Sequence, residues 1–279
     1  MNTHENTLII KEPTINVEKA LISKYPAFTD KPAPFKRSAL FMLKKLVHEN
    51  EINSFLDINK DATGFEFIER VLDYFNFGYS ISNHDRANIP SSGRVVIVAN
   101  HPLGALDGLA LLKMVGEVRR DVRIVANDVL MNFDPIKNLF LAVDNLGKGT
   151  RKRDIERIVD ALHQEQAIIV FPAGEVSRAG ITGVKDDKWN SGFIRFARKA
   201  NAPVLPIFIG GKNSSLFYSV SYINKTLSTL MLAREMFNKR SVTIPMRVGE
   251  PLPFSQIDAV PVKKKKKTKL LKKHLYRIA

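Results

Sequence analysis

Short apolar runs separated by helical segments form the pattern of this chain beyond Gly78. Six runs predict strands, and they cover residues 95–99, 122–126, 139–143, 167–171, 204–209 and 242–248. Between them, apolar residues at helical spacing predict helices at 109–115, 155–162, 193–200 and 227–237. Strands that alternate with helices indicate an α/β fold with a sheet covered on both faces.

The part before Gly78 has a helical pattern instead. Apolar residues recur every three or four positions over 35–47, among four basic residues, which predicts a basic amphipathic helix. Thr63 and Glu66 fit a capping box at the start of a second helix. We therefore predict four parts. These are a flexible lead and linker at 1–34 with a short helix at 17–24, an N-terminal helical segment at 35–78, an α/β domain at 79–262 and a polybasic tail at 263–279.

Composition restricts the chemistry that the chain can carry. Cysteine is absent, which excludes disulfides, thiolate nucleophiles and Cys-based zinc sites, and suits a reducing compartment. The first residues lack the basic and apolar regions of a secretory signal. No stretch reaches the roughly 18 uninterrupted apolar residues of a membrane-spanning helix. We expect a cytoplasmic protein that does not cross a bilayer.

The net charge of +15 points to an anionic partner, and nine of the basic residues lie in 263–279, where no acidic residue is found. Clustered lysines beside apolar side chains favour anionic lipid surfaces. We hypothesise that the tail and the helix at 35–47 form a peripheral contact with the inner face of the cell membrane. A basic nucleic-acid-binding protein is the non-enzymatic alternative. The chain has no aromatic-interleaved basic motif, however, so no specific nucleic-acid partner is expected.

Two polar segments follow two of the predicted strands. His101 and Asp107 come after the run at 95–99, and a Pro- and Gly-containing turn comes after the run at 167–171. The polar or conformationally free residues of this turn are Gly174, Glu175, Ser177 and Arg178. Because chemistry in α/β sheets gathers beyond the strand ends, we predict that both segments share one site.

A neutral His can take a proton from an alcohol, and a nearby carboxylate can fix the His tautomer and stabilise the imidazolium. His101 and Asp107 fit these two roles. The alternative is that Asp107 caps a helix starting near Gly108 while His101 is an ordinary loop residue, and both roles can coexist. No nucleophile is paired with His101 in the sequence, which favours direct attack by a substrate hydroxyl over a covalent enzyme intermediate.

The second segment predicts an anion or polyol site. Arg178 can hold a phosphate or carboxylate with two hydrogen bonds, and the Gly174 backbone lets a ligand approach closely. A solvated loop is the alternative for such a turn. The sequence contains no metal-ligand spacing and no dinucleotide-binding glycine pattern, so no metal is expected.

In order and spacing, these motifs resemble the glycerolipid acyltransferase superfamily, which includes lysophosphatidic acid acyltransferases. The likeness rests on His101 with Asp107, on Phe-Pro-Ala-Gly-Glu-Val-Ser-Arg at 171–178 and on Val-Leu-Pro-Ile at 204–207, and it covers about residues 80–250. The chain departs from the family pattern in four ways. Five residues instead of four separate His101 from Asp107, Ala173 replaces a Glu, Arg178 lies two positions late, and the second-motif Arg is missing. These departures, together with the segments 189–193, 202–204 and 211–217, resemble the sequences of the bacterial branch labelled hemolysins. That branch is similar to acyltransferases acting on lyso-ornithine and related lyso-aminolipids.

The resemblance implies a glycerol-3-phosphate acyltransferase-like fold, in which helices flank both faces of a mixed sheet. It also implies a peripheral membrane O-acyltransferase in which His101 is the general base and Asp107 orients it. The acceptor head group would be held by Gly174, Glu175, Ser177 and Arg178.

The acyl chain would come from an acyl-ACP or acyl-CoA thioester, without a cofactor, and a lysophospholipid or lyso-aminolipid would accept it. Arg151 and Arg153 would substitute for the missing second-motif Arg, although two solvated surface arginines are the alternative. A lipid or thioester hydrolase with the same site is a second enzymatic hypothesis. An inactive protein that keeps only the fold is a third.

Overall fold

The computed structural model describes residues 15–127, 133–143, 151–180 and 183–279. The chain divides into two compact units, Met1–Lys60 and Asp61–Ala279. This division differs from the boundaries drawn from the sequence at 34, 78 and 262. The sequence-based lead at 1–34 contains one helix and the start of another, and its residues 1–14 lie outside the described part.

The first unit is helical in its described part. Its helices are α1 (Val17–Lys24), α2 (Ala33–Leu46) and α3 (Glu49–Ile58), with a 3₁₀ turn at Pro26–Phe28. The basic helix predicted at 35–47 is confirmed as α2, which exposes the apolar side chains of Phe35, Phe41 and Met42.

The second unit contains the sheet and nine of the described helices. These are α4 (Gly64–Tyr74), α5 (Asn83–Ala87), α6 (Ala105–Gly116), α7 (Lys152–His163), α8 (Gly192–Ala200), α9 (Ser215–Ile223), α10 (Lys225–Phe237), α11 (Phe254–Ala259) and α12 (Lys264–Leu275). A 3₁₀ segment covers Asp134–Leu139.

The strands of the described residues are β1 (Gly78–Ser80), β2 (Val95–Ala99), β3 (Val122–Ala126), β4 (Phe140–Ala142), β5 (Ala167–Val170), β6 (Arg178–Gly180), β7 (Gly183–Lys185), β8 (Val204–Ile209) and β9 (Thr243–Val248). Seven of them form one sheet in the order β1-β9-β8-β2-β5-β3-β4, while β6 and β7 pair separately. Neighbours in the large sheet are parallel except β8 and β9, which run antiparallel. The predicted α/β fold with a mixed sheet is confirmed.

The centre of the sheet is β2, whose residues Val95–Ala99 are completely buried. A parallel strand that is apolar on both faces must be covered on both faces. Val96 and Val98 belong to the core cluster formed with α7, α8 and α12. Side chains alternate along a strand, so Ile97 faces the other side, where α6 packs against the sheet.

The helix predicted after Thr63 is present as α4, but the predicted capping box is wrong. Thr63 makes no side-chain capping hydrogen bond. The carboxylate of Glu66 lies 2.5 Å from Arg70 one turn along the helix, so it does not return to the helix start. Gly64 opens the helix with φ 58°, a backbone conformation that favours glycine.

Residues 263–279 are not a separate tail, because α12 packs against β8 and the core of the second unit. Leu271 and Leu275 are buried, and Tyr276 packs beside them. Lys267 is also buried, and its ammonium donates to the Asp258 carbonyl over 2.7 Å. The apolar side chains that the sequence assigned to a membrane contact therefore face the protein, except for the exposed Leu270.

Candidate active site

Two sequence motifs meet at the carboxyl edge of the central strands. β2 runs parallel to both β5 and β8, with Val98 opposite Val170 and Pro206. The segments that follow β2 and β5 are joined directly, since the Ser177 N–H donates to the His101 carbonyl over 2.7 Å. The two segments therefore lie together, and one shared functional site stays a prediction.

His101 and Asp107 lie side by side at this edge. Nδ1 of His101 is 2.9 Å from Oδ1 of Asp107, which is completely buried. The second carboxylate oxygen of Asp107 accepts from the Leu103 N–H over 2.7 Å, which fixes the carboxylate from that side. The spacing of five residues between His101 and Asp107 is thus compatible with a close pair.

Asp107 is not the residue that caps the following helix. α6 starts at Ala105, two residues before Asp107, and its N-cap is Gly104 with φ 97°. An L-residue is strained in this region of backbone space, so the turn that carries the chain from His101 into α6 favours glycine. The alternative in which Asp107 serves as the cap is wrong, and its carboxylate faces His101 instead.

The imidazole of His101 stacks on the ring of Phe171, with centroids 4.0 Å apart and an angle of 21°. One fifth of the His101 side chain is exposed. Burial disfavours the imidazolium, but the negative charge of Asp107, and after it that of Asp186, outweighs this effect and raises the pKa of His101 above its ordinary value. With Nδ1 directed at Asp107, Nε2 is the nitrogen available to a substrate.

Asp186 is a second carboxylate beside the His101 backbone. Its Oδ1 accepts from the His101 N–H over 3.1 Å and from the Ser177 hydroxyl over 2.5 Å, while Oδ2 accepts from the Trp189 indole over 2.7 Å. Burial raises the pKa of Asp186, and these hydrogen bonds act in the opposite direction. Ser177 is buried and therefore belongs to the network behind His101.

Arg178 is the main cation of the second motif. Its Nη1 donates to the hydroxyls of Ser221 and Ser228, both over 2.8 Å, and Glu175 lies 3.7 Å from Nη2. The guanidinium also lies over the ring of Phe217, 5.3 Å from its centroid. Its Nε is buried and has no hydrogen-bond partner among the described residues. The geometry leaves donor capacity on Arg178 for an anion.

The remaining predicted residues of this motif lie closer to solvent. Gly174 is exposed and has φ 70°, and Glu175 forms an ion pair with Lys225 over 3.0 Å. Arg151 precedes α7 and Arg153 lies in its first turn, both exposed. Residues 144–150 before them lie outside the described part, so the substitution of Arg151 and Arg153 for the missing Arg stays a prediction.

A family model described as acyltransferase matches residues 19–278, which is most of the chain. The chain belongs to this acyltransferase family. The superfamily recognised from the motifs is therefore confirmed, and the protein is an acyltransferase.

Curated relatives cover nearly the whole acyltransferase. A protein of Bacteroides thetaiotaomicron named lyso-glycine lipid O-acyltransferase is 33% identical over 255 residues, which are 88% of this chain and 90% of the relative. A protein of the same name from Phocaeicola vulgatus is 32% identical and covers 88% of both chains. Among solved structures, the 1-acyl-sn-glycerophosphate (LPA) acyltransferase PlsC from Thermotoga maritima matches with a TM-score of 0.48 and 17% identity, over 76% of this chain and 79% of that one.

Two asparagines hold the segment that contains His101, and the sequence offers Asn213 only as one of three residues that could line the site, with a plain turn as the alternative. Asn100 joins the His101 segment to β8, since its side chain donates to the Ile209 carbonyl over 2.8 Å and accepts from the Ile209 N–H over 2.7 Å. Asn213 donates to the Pro102 carbonyl over 3.2 Å. Asn100 directly follows β2 and Asn213 lies four positions after the end of β8, so a position beyond a strand end is the signal that the sequence offers.

The helix α12 of the acyltransferase holds the Asp186 segment in place. The Lys272 ammonium donates to the carbonyls of Asp186 and Asp187 over 2.6 and 3.0 Å, and the Asp186 N–H donates to the Tyr276 hydroxyl over 2.7 Å. Desolvation lowers the pKa of Lys272, despite the nearby carboxylates. The lysine-rich sequence of α12 hides this role, because its basic residues suggest a solvated surface.

Proposed function

We propose that this acyltransferase transfers a fatty acyl chain from an acyl-ACP or acyl-CoA thioester to a hydroxyl of a lyso-aminolipid. The observation that carries the proposal is the contact of 2.9 Å between His101 Nδ1 and a fixed carboxylate oxygen of Asp107. A carboxylate that faces Nδ1 favours the tautomer with the proton on that nitrogen, which leaves Nε2 to act as the base. Asp107 also stabilises the imidazolium that forms during the reaction.

The proposed reaction begins with the transfer of one proton to His101. Nε2 of His101 takes the proton from the acceptor hydroxyl, and the oxygen attacks the carbonyl carbon of the thioester. As the tetrahedral intermediate collapses, the carbon–sulfur bond breaks and the imidazolium returns the proton to the departing sulfur. An ester and a free thiol result. The thioester supplies the activated acyl group, so the chemistry requires no further cofactor.

The acceptor is proposed from Arg178 and from the names of the relatives. Both curated relatives are named for a lyso-glycine lipid. A glycine head group joined through its nitrogen carries one carboxylate, and an arginine can bind a carboxylate with two hydrogen bonds. Arg178, with its buried Nε and its position beside the His101 segment, supports this class of acceptor.

The role of Arg178 predicts a change in acceptor selectivity. We expect Arg178→Gln to raise the KM for lyso-glycine lipid about tenfold, since charge-assisted hydrogen bonds contribute about 1.5–3 kcal/mol. The KM for the methyl ester of the same lipid is expected to change little. Steady-state kinetics with both acceptors measures the difference, and Arg198→Gln, which removes a charge from an exposed ion pair, is the matched control. Equal effects on both acceptors would contradict the head-group role.

Membrane association is proposed from charge and from the nature of the acceptor. None of the helices in the described residues is long and apolar enough to cross a bilayer. α2 is basic and amphipathic, and α12 exposes most of its lysines. Basic groups near a surface attract anionic lipids by about 1 kcal/mol each. We therefore place the enzyme on the inner face of the cell membrane.

The test of the proposed function is mass-spectrometric detection of the product. The purified protein would be offered acyl-ACP and acyl-CoA, each with lyso-glycine lipid, lyso-ornithine lipid and lysophosphatidic acid. A diacylated aminolipid is the expected product. Free fatty acid in place of it would identify a hydrolase, and the absence of any product with a folded protein would contradict the proposal.

A further inference from the structure

The two helices α9 and α10 pack against each other as a hairpin that turns at Asn224. Their sequence is unusual for this chain, in which 25% of residues are charged. From 213 to 233, Lys225 is the single charged residue. Helices on a water-facing surface normally place charged side chains on their outer face. Apart from Lys225, the hairpin lacks them from 213 to 233.

The exposed face of the hairpin carries five large apolar side chains instead. Tyr222 and Ile223 are 78% and 87% exposed, and Leu216, Leu227 and Leu230 are between 41% and 50% exposed. Four of these side chains lie within seven residues of the turn at Asn224. A cluster of exposed large apolar groups marks a binding surface more often than a solvated one. We call these five residues the hairpin patch.

The hairpin is attached to the candidate active site. Arg178 bonds to Ser221 in α9 and to Ser228 in α10, and Lys225 pairs with Glu175. A molecule bound at the hairpin patch therefore lies next to the segment that we propose for the acceptor head group.

The sequence segment that contains the hairpin is basic. Between 211 and 240 the chain has five basic residues and one acidic residue, Glu235. Glu235 is completely buried and accepts hydrogen bonds from the N–H and hydroxyl of Ser214, so it does not face solvent. At the patch itself Lys225 lies against Glu175 and Asp187, so it is the net charge of +15 of the whole chain that favours an anionic partner. An exposed apolar patch on such a basic protein is complementary to the surface of a bilayer that contains anionic lipids.

We infer that the hairpin patch inserts into the surface of an anionic bilayer and that lyso-lipid enters the active site along it. The helices have nine and thirteen residues, which suits insertion into one leaflet. The route of the lipid rests on the proposed function, whereas the membrane contact does not. The patch also differs from the contacts proposed for α2 and α12.

The membrane contact is tested with the triple variant Tyr222→Ser, Ile223→Ser and Leu227→Ser in the full chain. Flotation with phosphatidylcholine vesicles containing phosphatidylglycerol is expected to show at least about tenfold weaker binding, because three apolar side chains no longer leave water. Val260→Ser, at an exposed apolar residue after α11, is the matched control and is expected to bind as the wild type does. Ile223→Trp is expected to bind more tightly, since Trp favours the bilayer interface. Unchanged binding in both patch variants would overturn the inference.

Activity assays with a vesicle-embedded and a water-soluble acceptor test the membrane contact separately from the proposed function. The triple variant is expected to lose activity on vesicle-embedded lyso-lipid but to keep it on a short-chain, water-soluble acceptor. A wild type that binds vesicles through the patch and transfers no acyl chain would contradict the proposed function alone. A raised KM for acyl-ACP with unchanged vesicle binding would identify a carrier-protein surface and overturn the membrane contact. A mass in light scattering that differs between the wild type and the triple variant would show that the patch binds a second copy of the chain. That result would also overturn the membrane contact.

A second inference concerns Asp186 and rests on separate contacts. The buried carboxylate of Asp186 accepts hydrogen bonds from the His101 N–H, the Ser177 hydroxyl and the Trp189 indole. The backbone N–H of Asp186 donates to the Tyr276 hydroxyl. We infer that Asp186 is a positioning residue that fixes the His101 segment and adds a second negative charge beside the imidazole.

The charge of Asp186 predicts a shift in pH dependence. His101 faces the carboxylates Asp107 and Asp186, and the ionisable groups around Asp186 are Tyr276 and Lys272. Both carboxylates favour the imidazolium, so Asp186→Asn is expected to lower the pKa of His101. If His101 acts in its neutral form, the acid limb of the kcat/KM profile then moves to lower pH.

NMR titration of the His101 ring measures the same shift without catalysis, so the result does not depend on the proposed function. Trp189→Phe is the matched control, because it removes one hydrogen bond to Asp186 but keeps the charge. Its titration midpoint is expected to stay at the wild-type pH. Equal midpoints in Asp186→Asn and the wild type would overturn the inference.

Discussion

His101→Ala is expected to lower kcat/KM for acyl transfer by about 10³-fold or more, in the upper part of the range for general-base catalysis. The variant removes the imidazole that we propose as the base and that lies against Asp107. The fold is expected to persist, because His101 is bound to Asp186 and Ser177 through its backbone, which alanine retains. The product assay with acyl thioester and lyso-aminolipid, beside thermal unfolding, measures both quantities.

A second histidine variant shows whether the loss of activity is specific to His101 or follows from the loss of any histidine. His84 lies exposed in α5, so His84→Ala is expected to leave both activity and unfolding unchanged. If His101→Ala kept its rate within tenfold of the wild type, another group would have to serve as the base.

Removal of residues 264–279 is expected to unfold the second unit. This deletion takes away the buried side chains of Leu271 and Leu275 together with the two bonds from Lys272 to the Asp186 segment. A buried Leu→Ala change alone costs about 2–5 kcal/mol. Loss of the whole helix therefore approaches the 5–15 kcal/mol that stabilises a typical domain. Circular dichroism and denaturant unfolding of the truncated chain measure the effect.

Two variants with smaller changes show which side chains of α12 stabilise the second unit. Leu275→Ala is expected to lower the free energy of unfolding by about 2–5 kcal/mol. Lys265→Gln with Lys269→Gln, on the exposed face of α12, is expected to change it by no more than about 0.5 kcal/mol. A truncated chain that unfolds like the wild type would mean that α12 is a dispensable tail.

The central strands could be predicted because their own sequence determines them. The apolar residues of β2 and β5 are buried on both faces, so burial produces a continuous signal in the sequence. β1 and the pair β6–β7 have three residues each and are partly exposed. β1 pairs with a strand that is distant in sequence, as in the contact of Gly78 with Thr243, and a local pattern contains no such information. β6 and β7 pair with each other locally, but three residues are too few for a recognisable pattern.

The candidate site could be predicted from the sequence only where its residues lie close together in the chain. His101 and Asp107 are six positions apart, and the turn between them brings them together. Asp186 meets His101 across 85 residues and Tyr276 across 90, so only tertiary packing joins these groups. In α12, the run of lysines dominated the sequence pattern and concealed the stripe of buried residues behind it.

The attachment of the Asp186 segment to α12 sets the order in which the enzyme is completed during synthesis. A ribosome translates His101, Asp107 and Arg178 well before Lys272 and Tyr276, which follow Asp186 by 86 and 90 residues. Until α12 has emerged and docked, the nascent chain holds His101 without the contacts that Lys272 and Tyr276 make with the Asp186 segment. Completion of the candidate site therefore depends on the docking of α12.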